Sequence, residues 1–224
     1  MSVPAASAKP RLVTRIEQHA RQRRHAFFLQ LLQGVARPLS ILDVGGLLEY
    51  WRGVDFTALG DVRVVLLNLP PAKAVPPPFT SVVGDACDLS RYGDGQFDVA
   101  FSNSVLGHVG DFEAQRRMAV EIRRVGRRYF VQTPNPGFPI DWRTLVPGFH
   151  RLPVEAQAWC LQRFPVGLYP RIVDAAGALE LASRVRSVSR CELDVLFPGA
   201  TVVPERFCGW PKSFMVFDGF GRRP

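Results

Sequence analysis

The sequence predicts an α/β domain, doubly wound about a mainly parallel sheet and closed by an antiparallel hairpin. Three observations lead there. Short apolar runs of strand length alternate with stretches of helical spacing from about residue 40 to residue 133, the signature of right-handed β-α-β crossovers. Each run stops at a small or polar residue capable of hydrogen bonding. The last two β-rich runs follow one another across a short link, as hairpin strands do.

The first run, Ser40-Ile41-Leu42-Asp43-Val44-Gly45-Gly46, organises the rest. Ile41, Leu42 and Val44 suit a strand covered on both faces, and the two glycines permit a tight turn with close backbone approach. Such a turn at a parallel strand's carboxyl end is where doubly wound domains bind nucleotides, although a glycine pair after a strand also serves as a plain turn. Ahead of it, Ile16, Phe27, Phe28, Leu31 and Leu32 recur at helical spacing between Arg11 and Val35, giving one or two amphipathic helices that cap the core. Residues 1–10, rich in Ala, Ser and Pro, are expected to be disordered, leaving 11–224 as a single domain.

Leu47 to Arg52 is expected to open a helix at the glycine turn. Tyr50 and Trp51 then stand near any bound ligand or simply pack. The second strand, Val62 to Leu67, ends at Asn68, and the prolines of Leu69 to Pro78 exclude a strand interior there. A third strand lies near Thr80 to Val83 and ends in Gly84-Asp85-Ala86; a fourth runs from Phe97 to Ser102. Helix Phe112 to Val125 and strand Tyr129 to Gln132 follow. From Asn135 to Tyr169 the pattern loosens into Pro and aromatic residues before a helix around Val154 to Arg163, and so long a connection at a strand's carboxyl end reads as a functional lid. A capped helix opens at Ser189, and the runs Ala200 to Arg206 and Ser213 to Phe217 form the hairpin.

The 224 residues, 47% of them hydrophobic, suffice for one ordinary core. No apolar run is long enough to cross a bilayer and no secretory leader is evident, so a cytoplasmic protein without a membrane role is expected. Cys87, Cys160, Cys191 and Cys208 lie far apart, which indicates free thiols and no zinc site. The formal charge of +8 invites a nucleic-acid reading. Its arginines are spread over helices without interleaved exposed aromatics, so they read as solvated faces and no nucleic-acid partner is expected. The exception is the cluster at 21–24, just ahead of the glycine turn, which is placed to fold over an anionic group.

With these residues on the page, the chain resembles the class I S-adenosylmethionine (SAM)-dependent methyltransferases, in particular type 11-like members with a D-V-G-G-x-x-x-Y-W motif. The resemblance covers roughly residues 20 to 217 and rests on I-L-D-V-G-G-L-L-E-Y-W (41–51), L-L-N-L (66–69), V-V-G-D-A-C-D-L (82–89), F-D-V-A-F-S-N-S-V-L-G-H-V (97–109) and Y-F-V-Q-T-P-N (129–135). It implies a Rossmann-like seven-stranded sheet with a C-terminal antiparallel hairpin, and SAM as cofactor. Residue by residue it implies that Gly45 and Gly46 leave room for the methionine part and that Asp43 receives its ammonium. Asn68 stands where an acid usually grips the ribose, as an amide with one donor and one acceptor in place of two strong acceptors. Asp85 suits the adenine amine with Ala86 beside the ring, while Ser102, Asn103 and Ser104 line the floor beneath the sulfonium. Two features depart from the pattern: Leu47-Leu48 replaces the third glycine of the loop, and Gly107 occupies a place where many relatives carry Glu.

The catalytic candidates are His108, as a general base or a packing residue, and the lid residues Asn135, Asp141 and Tyr169, as acceptor-binding groups or as loop-closing ones. His150 is a further candidate base in the lid, and Arg143 a partner for Asp141. The expected activity is methyl transfer from SAM to a small-molecule biosynthetic intermediate, a reaction that needs alignment more than a catalytic dyad. Two alternatives stay open. A site enclosing SAM alone within the polar-aromatic lid of Asn135, Asp141 and Tyr169, with Asn135 orienting an amine and Tyr169 offering a π-face to the sulfonium, would cyclise SAM to azetidine-2-carboxylate and methylthioadenosine. An RNA methyltransferase or a nucleic-acid-binding module would use the basic surface.

Overall fold

The computed structural model describes residues 7–69, 74–141 and 144–221. Its centre is a seven-stranded sheet in the order β3-β2-β1-β4-β5-β7-β6. The strands are β1 (Leu39–Val44), β2 (Val62–Asn68), β3 (Phe79–Val83), β4 (Val99–Asn103), β5 (Tyr129–Pro134), β6 (Thr201–Phe207) and β7 (Trp210–Asp218). The first five are parallel, and β7 runs antiparallel to both β5 and β6. The chain winds outward from β1 to β3, then returns to place β4 against the other edge of β1. That reversal opens a crevice at the carboxyl ends of β1 and β4, the place where this architecture binds ligands.

Strand alternation assigns each side chain to a face. Ile41, Val64, Val99, Phe101, Phe130, Met215 and Phe217 pack under α1 (Arg11–Leu32), with Phe28, Leu31 and Leu32. Leu42, Val44, Ala100, Val131 and Val216 pack on the opposite face against α3 (Phe112–Val125) and α6 (Arg190–Leu196). α1 is one continuous helix of 22 residues, the predicted cap. Asp111 caps α3 by accepting from the Ala114 N–H at 2.8 Å, and Ser189 and Glu192 form the capping box expected at α6.

The lid has a core of its own. Phe149, Ala158, Leu161, Val166, Ile172 and Ala178 cluster between α4 (Val154–Arg163) and α5 (Ala175–Ser183). The sequence analysis did not anticipate α5, whose small residues give a weak periodic signal. It did expect a helix at Leu47 to Arg52, and there the chain makes only one 3-10 turn, Leu48–Tyr50. Tyr50 and Trp51 are 7% and 2% exposed, so they pack under α1 and the turn cannot extend into a solvated helix. A four-residue α2 (Phe56–Leu59) is all the regular helix in that crossover. The expectation of disorder for 1–10 falls largely outside the described residues; within them, the Ser7 N–H donates to the Leu168 carbonyl at 2.6 Å.

Phe101 lies at the centre of the α1 face. It is fully buried, with ring centroids of Phe28, Trp51, Tyr50 and Phe130 at 4.8, 5.1, 5.4 and 5.5 Å. Phe101→Ala is expected to cost about 3–5 kcal/mol in urea unfolding. Val195→Ala, on the exposed face of α6, should move stability by less than about 0.5 kcal/mol.

Candidate functional site

The loop after β1 is built around a buried acid. Asp43 sits on the α1 face of its strand, 1% exposed, where its Oδ2 accepts from Trp51 Nε1 at 2.6 Å. Its Oδ1 has no partner. Burial pushes the carboxyl up to about 7, against the smaller opposing pull of the Trp51 bond. Gly45 turns the chain at φ +76°, and its N–H donates to the Leu67 carbonyl at 2.7 Å, tying the loop to β2.

The glycines do not hold space open as expected. A Cβ on Gly46 would stand 1.9 Å from the Asp43 carboxylate, and one on Gly45 would stand 2.5 Å from a Val105 methyl. Gly46 is therefore required because Asp43 folds back against its own loop. Asn68 is likewise turned inward, its amide donating to the Gly46 carbonyl. Ser102 is a clear correction: it is fully buried and its hydroxyl donates to the Val44 carbonyl at 3.0 Å, so it stitches β4 to β1 and forms no floor. Ala86 is buried in the α3-side core. Asp85 is exposed at the end of β3, where its Oδ1 accepts from the Cys87 N–H at 2.8 Å.

Above the carboxyl ends of β4 and β5 lies a chamber of about 320 Å³. It gathers Asn103, Ser104 and His108 from β4 and the turn after it, Asn135, Asp141 and His150 from the lid, and Arg21 and Arg24 from α1. Six sequence candidates thus meet: Asn103, Ser104, His108, Asn135, Asp141 and His150. Tyr169 does not join them. It packs against the lid core, pairs with Val166 and borders a separate small recess, so a π-face over the chamber is not available from it. Arg143 lies outside the described residues.

Roles within the chamber differ from the residue types. The Asn135 amide is committed to backbone: Nδ2 donates to the Pro211 carbonyl at 2.7 Å and Oδ1 accepts from the Gly137 N–H at 2.8 Å. These bonds anchor the start of the lid to the hairpin. Ser104 adopts φ +60°, costly for a residue with a side chain, and is held there by Gln132, whose carbonyl accepts from its N–H at 2.9 Å. His150 Nε2 faces the Pro136 carbonyl at 3.0 Å, which can only accept; Nε2 therefore carries the proton and Nδ1 the lone pair. That Nδ1 is buried and has no partner. Gly107 explains itself sterically: a Cβ there would stand 3.1 Å from a Val185 methyl and 3.2 Å from the Arg186 carbonyl oxygen. A glutamate at 107 would displace the strand of chain that walls the chamber with Val185 and Ser187.

Sequence reasoning gave Arg24 no individual role. It is 7% exposed, donates from Nη1 to Asn103 Oδ1 at 2.5 Å, and from Nε and Nη2 grips the Glu205 carboxylate at 2.8–3.1 Å. Ser213 also donates to Glu205, at 2.5 Å. Beside this network stands a buried aromatic group in which His25 and Tyr50 meet edge to face at 4.3 Å. Burial first, then the charges of Arg24 and Arg21, pull the His25 imidazole down to about 4, so it is neutral. His25 Nε2 and Tyr50 Oη, like Asp43 Oδ1, are buried without partners.

These three orphaned atoms test the fit of SAM. An unpartnered acid in the loop after β1, together with the Arg21 and Arg24 cations that line the chamber, offers the acceptor and donor types that an amino-acid zwitterion requires. The exposed Asp85 at the end of β3 supplies an acceptor for an exocyclic amine. The residues therefore fit the cofactor in chemistry: Asp43, Arg21 and Arg24 would hold its amino-acid end and Asp85 its base. Among the described residues no group of His, Cys, Asp and Glu is arranged to hold a metal ion, and no helix is long and apolar enough to cross a membrane.

The pH response of the loop follows from Asp43. Its folded pKa lies above the unfolded value of 3.8, so between about pH 4 and pH 7 the folded state holds a proton that the unfolded state has released. Stability must fall as pH rises through that window. Asp43→Asn keeps an acceptor for Trp51 and removes the charge; its stability relative to the parent is expected to rise by about 2–4 kcal/mol between pH 4.5 and pH 8. Thermal unfolding across that range checks this, and a constant difference would contradict it.

Residues 53–129 match the family model of the methyltransferase domain. Among solved structures, the chain is similar to a "possible exported protein" from Bordetella parapertussis, with TM-score 0.51 and 15% identity over 88% of this chain and 66% of that one. It is similar to an O-methyltransferase family protein from Burkholderia thailandensis, with TM-score 0.50 and 10% identity over 88% of this chain and 56% of that one. A SAM-dependent methyltransferase from Aquifex aeolicus covers 94% of this chain and 98% of its own, with TM-score 0.47 and 10% identity. The chain spans less than two thirds of the first two proteins, and no curated protein matches it by sequence. The sheet order and the closing hairpin are those of a Rossmann-like methyltransferase fold, and the segment 53–129 is similar to the methyltransferase domain family.

Proposed function

We propose that the protein transfers a methyl group from SAM to a small-molecule acceptor held in the chamber over β4 and β5. The observation that supports this most is the juxtaposition of that chamber with the loop after β1, across the crevice where the sheet reverses direction. SAM supplies an electrophilic methyl group on a sulfonium, so the protein's task is to align the acceptor and exclude water. The lid closes one side, fixed at its root by Asn135, and α1 closes another through Arg24. His150, with its lone pair on a buried Nδ1, is the group suited to take the proton from an acceptor hydroxyl or amine as the methyl bond forms. His108, exposed at the chamber's edge, is better placed to meet the acceptor than to work in a desolvated interior. The cyclising alternative drew on Asn135, Asp141 and Tyr169; Asp141 lines the chamber, but Asn135 bonds backbone and Tyr169 packs against the lid core, which favours a separate acceptor. A small molecule, not a nucleic acid, fits a chamber of this size walled by the lid.

Titration calorimetry with SAM and S-adenosylhomocysteine tests the cofactor assignment, and absence of heat for both at high micromolar concentration would overturn it. Asp85→Ala is expected to weaken SAM binding by about 1–3 kcal/mol, the cost of an unpaired amine. Once an acceptor is in hand, His150→Ala should lower turnover by roughly 10²–10⁴-fold with SAM affinity little changed. Unchanged turnover would remove His150 from the chemistry.

A further inference from the structure

A second and larger cavity adjoins the chamber. It is a groove of about 790 Å³ between α1 and the β6–β7 hairpin, within the size range of ligand sites. Its floor is apolar, made by Ile16 and Phe27 from the helix and Val203 and Met215 from the hairpin. Its rim is cationic: Arg15 and Arg23 project from α1 and Arg206 from β6. Glu205 is the one carboxylate lining it, and that carboxylate is taken up by Arg24 and Ser213. Among the described residues lining the groove, no other carboxylate faces Arg15, Arg23 and Arg206. Arg24 and Lys212 border both the groove and the chamber, so the two cavities meet at a cationic junction. Burial, and next the Arg24 charge, pull the Lys212 ammonium below its ordinary range, against the opposing pull of Glu205 and Glu17.

We propose that this groove binds an amphiphilic acid, its apolar body along Ile16, Phe27, Val203 and Met215 and its carboxylate paired with the arginines of the rim, and that the acceptor of the methyltransferase reading belongs to this class. The assignment to acceptors rests on that reading; the binding of the acid does not. The complementarity is twofold. An apolar floor favours a hydrocarbon body, and guanidinium groups pair with carboxylates in bidentate geometry. Neither a neutral lipid nor a cation satisfies both surfaces. A molecule lying in the groove reaches the chamber past Arg24 and Lys212, which would set the distance between its anionic group and the atom that is methylated.

The experiment is calorimetry on the full-length protein without SAM, using monomeric decanoate, decanol and decylamine as probes. Decanoate is expected to bind, decanol about tenfold more weakly through loss of one charge-assisted pairing, and decylamine not at all. Arg23→Glu with Arg206→Glu should abolish decanoate binding, and Ile16→Gln should weaken it. The charge-reversed protein should retain the parent's circular dichroism, melting temperature and SAM affinity. Equal binding of acid and alcohol, or decanoate binding indifferent to the rim, would overturn the proposal. So would loss of phosphatidylglycerol vesicle binding or duplex RNA binding on rim reversal in a protein that ignores decanoate. Because the probe is titrated without SAM, failure of SAM to bind would sink the methyltransferase reading and leave the groove standing. Failure of decanoate alone would do the reverse.

Discussion

The arrangement depends on a desolvated guanidinium. Arg24 is carried by a helix that otherwise packs through Phe and Leu side chains, and it is aimed at the one strip of the sheet where β4, β6 and β7 present polar atoms on the α1 face. A buried cation is tolerable only when it is paired and hydrogen-bonded, and here Glu205 supplies the opposite charge at Nε and Nη2 while Asn103 accepts from Nη1. The register of α1 along the sheet is thereby fixed more narrowly than apolar packing would fix it, since sliding the helix by one turn would strand both charges. The same network forms the wall between the chamber and the groove.

A second constraint runs through the loop after β1. Asp43, Gly46 and Trp51 are mutually dependent: the acid needs the indole as a donor, and the absence of a side chain at 46 lets the acid fold back. Trp51 in turn belongs to the aromatic cluster of Phe28, Phe56 and Phe101 beneath α1. The polar end of the crevice and the hydrophobic core on that face are thus one structure. An energetically uncomfortable carboxylate persists there, as groups poised for a ligand often do.

The fold was legible because its signal is carried by period and punctuation. The boundaries of α3 and α4, the capping box at Ser189 and the hairpin all follow from residues within a few positions of one another. The helix expected after Gly46 failed for a tertiary reason, since Tyr50 and Trp51 were claimed by the core and the local turn could not continue. The site was legible by position and less so by role. Asn135 and Ser102 lie where the motifs put them, yet their polar atoms are consumed by backbone partners that no local pattern reveals. The networks of Arg24 and Gln132 were not legible from local pattern, because Asn103 lies 79 and Glu205 181 residues away from Arg24. Only the density of arginines at 21–24 hinted at it.

The lid carries a hydrophobic core that shares no residue with the two cores of the sheet. Its links to the sheet layers include the attachment at Asn135, the ring contact of Phe138 with Phe207, and the passage of Val185 and Arg186 by Gly107 and Gln115. Such a lobe can change its cavity-facing residues, or be replaced by a differently shaped one, without repacking the strands beneath. The division separates the part of the chain that holds the sheet from a part whose interior can vary by itself, while the sheet and its crevice stay as they are.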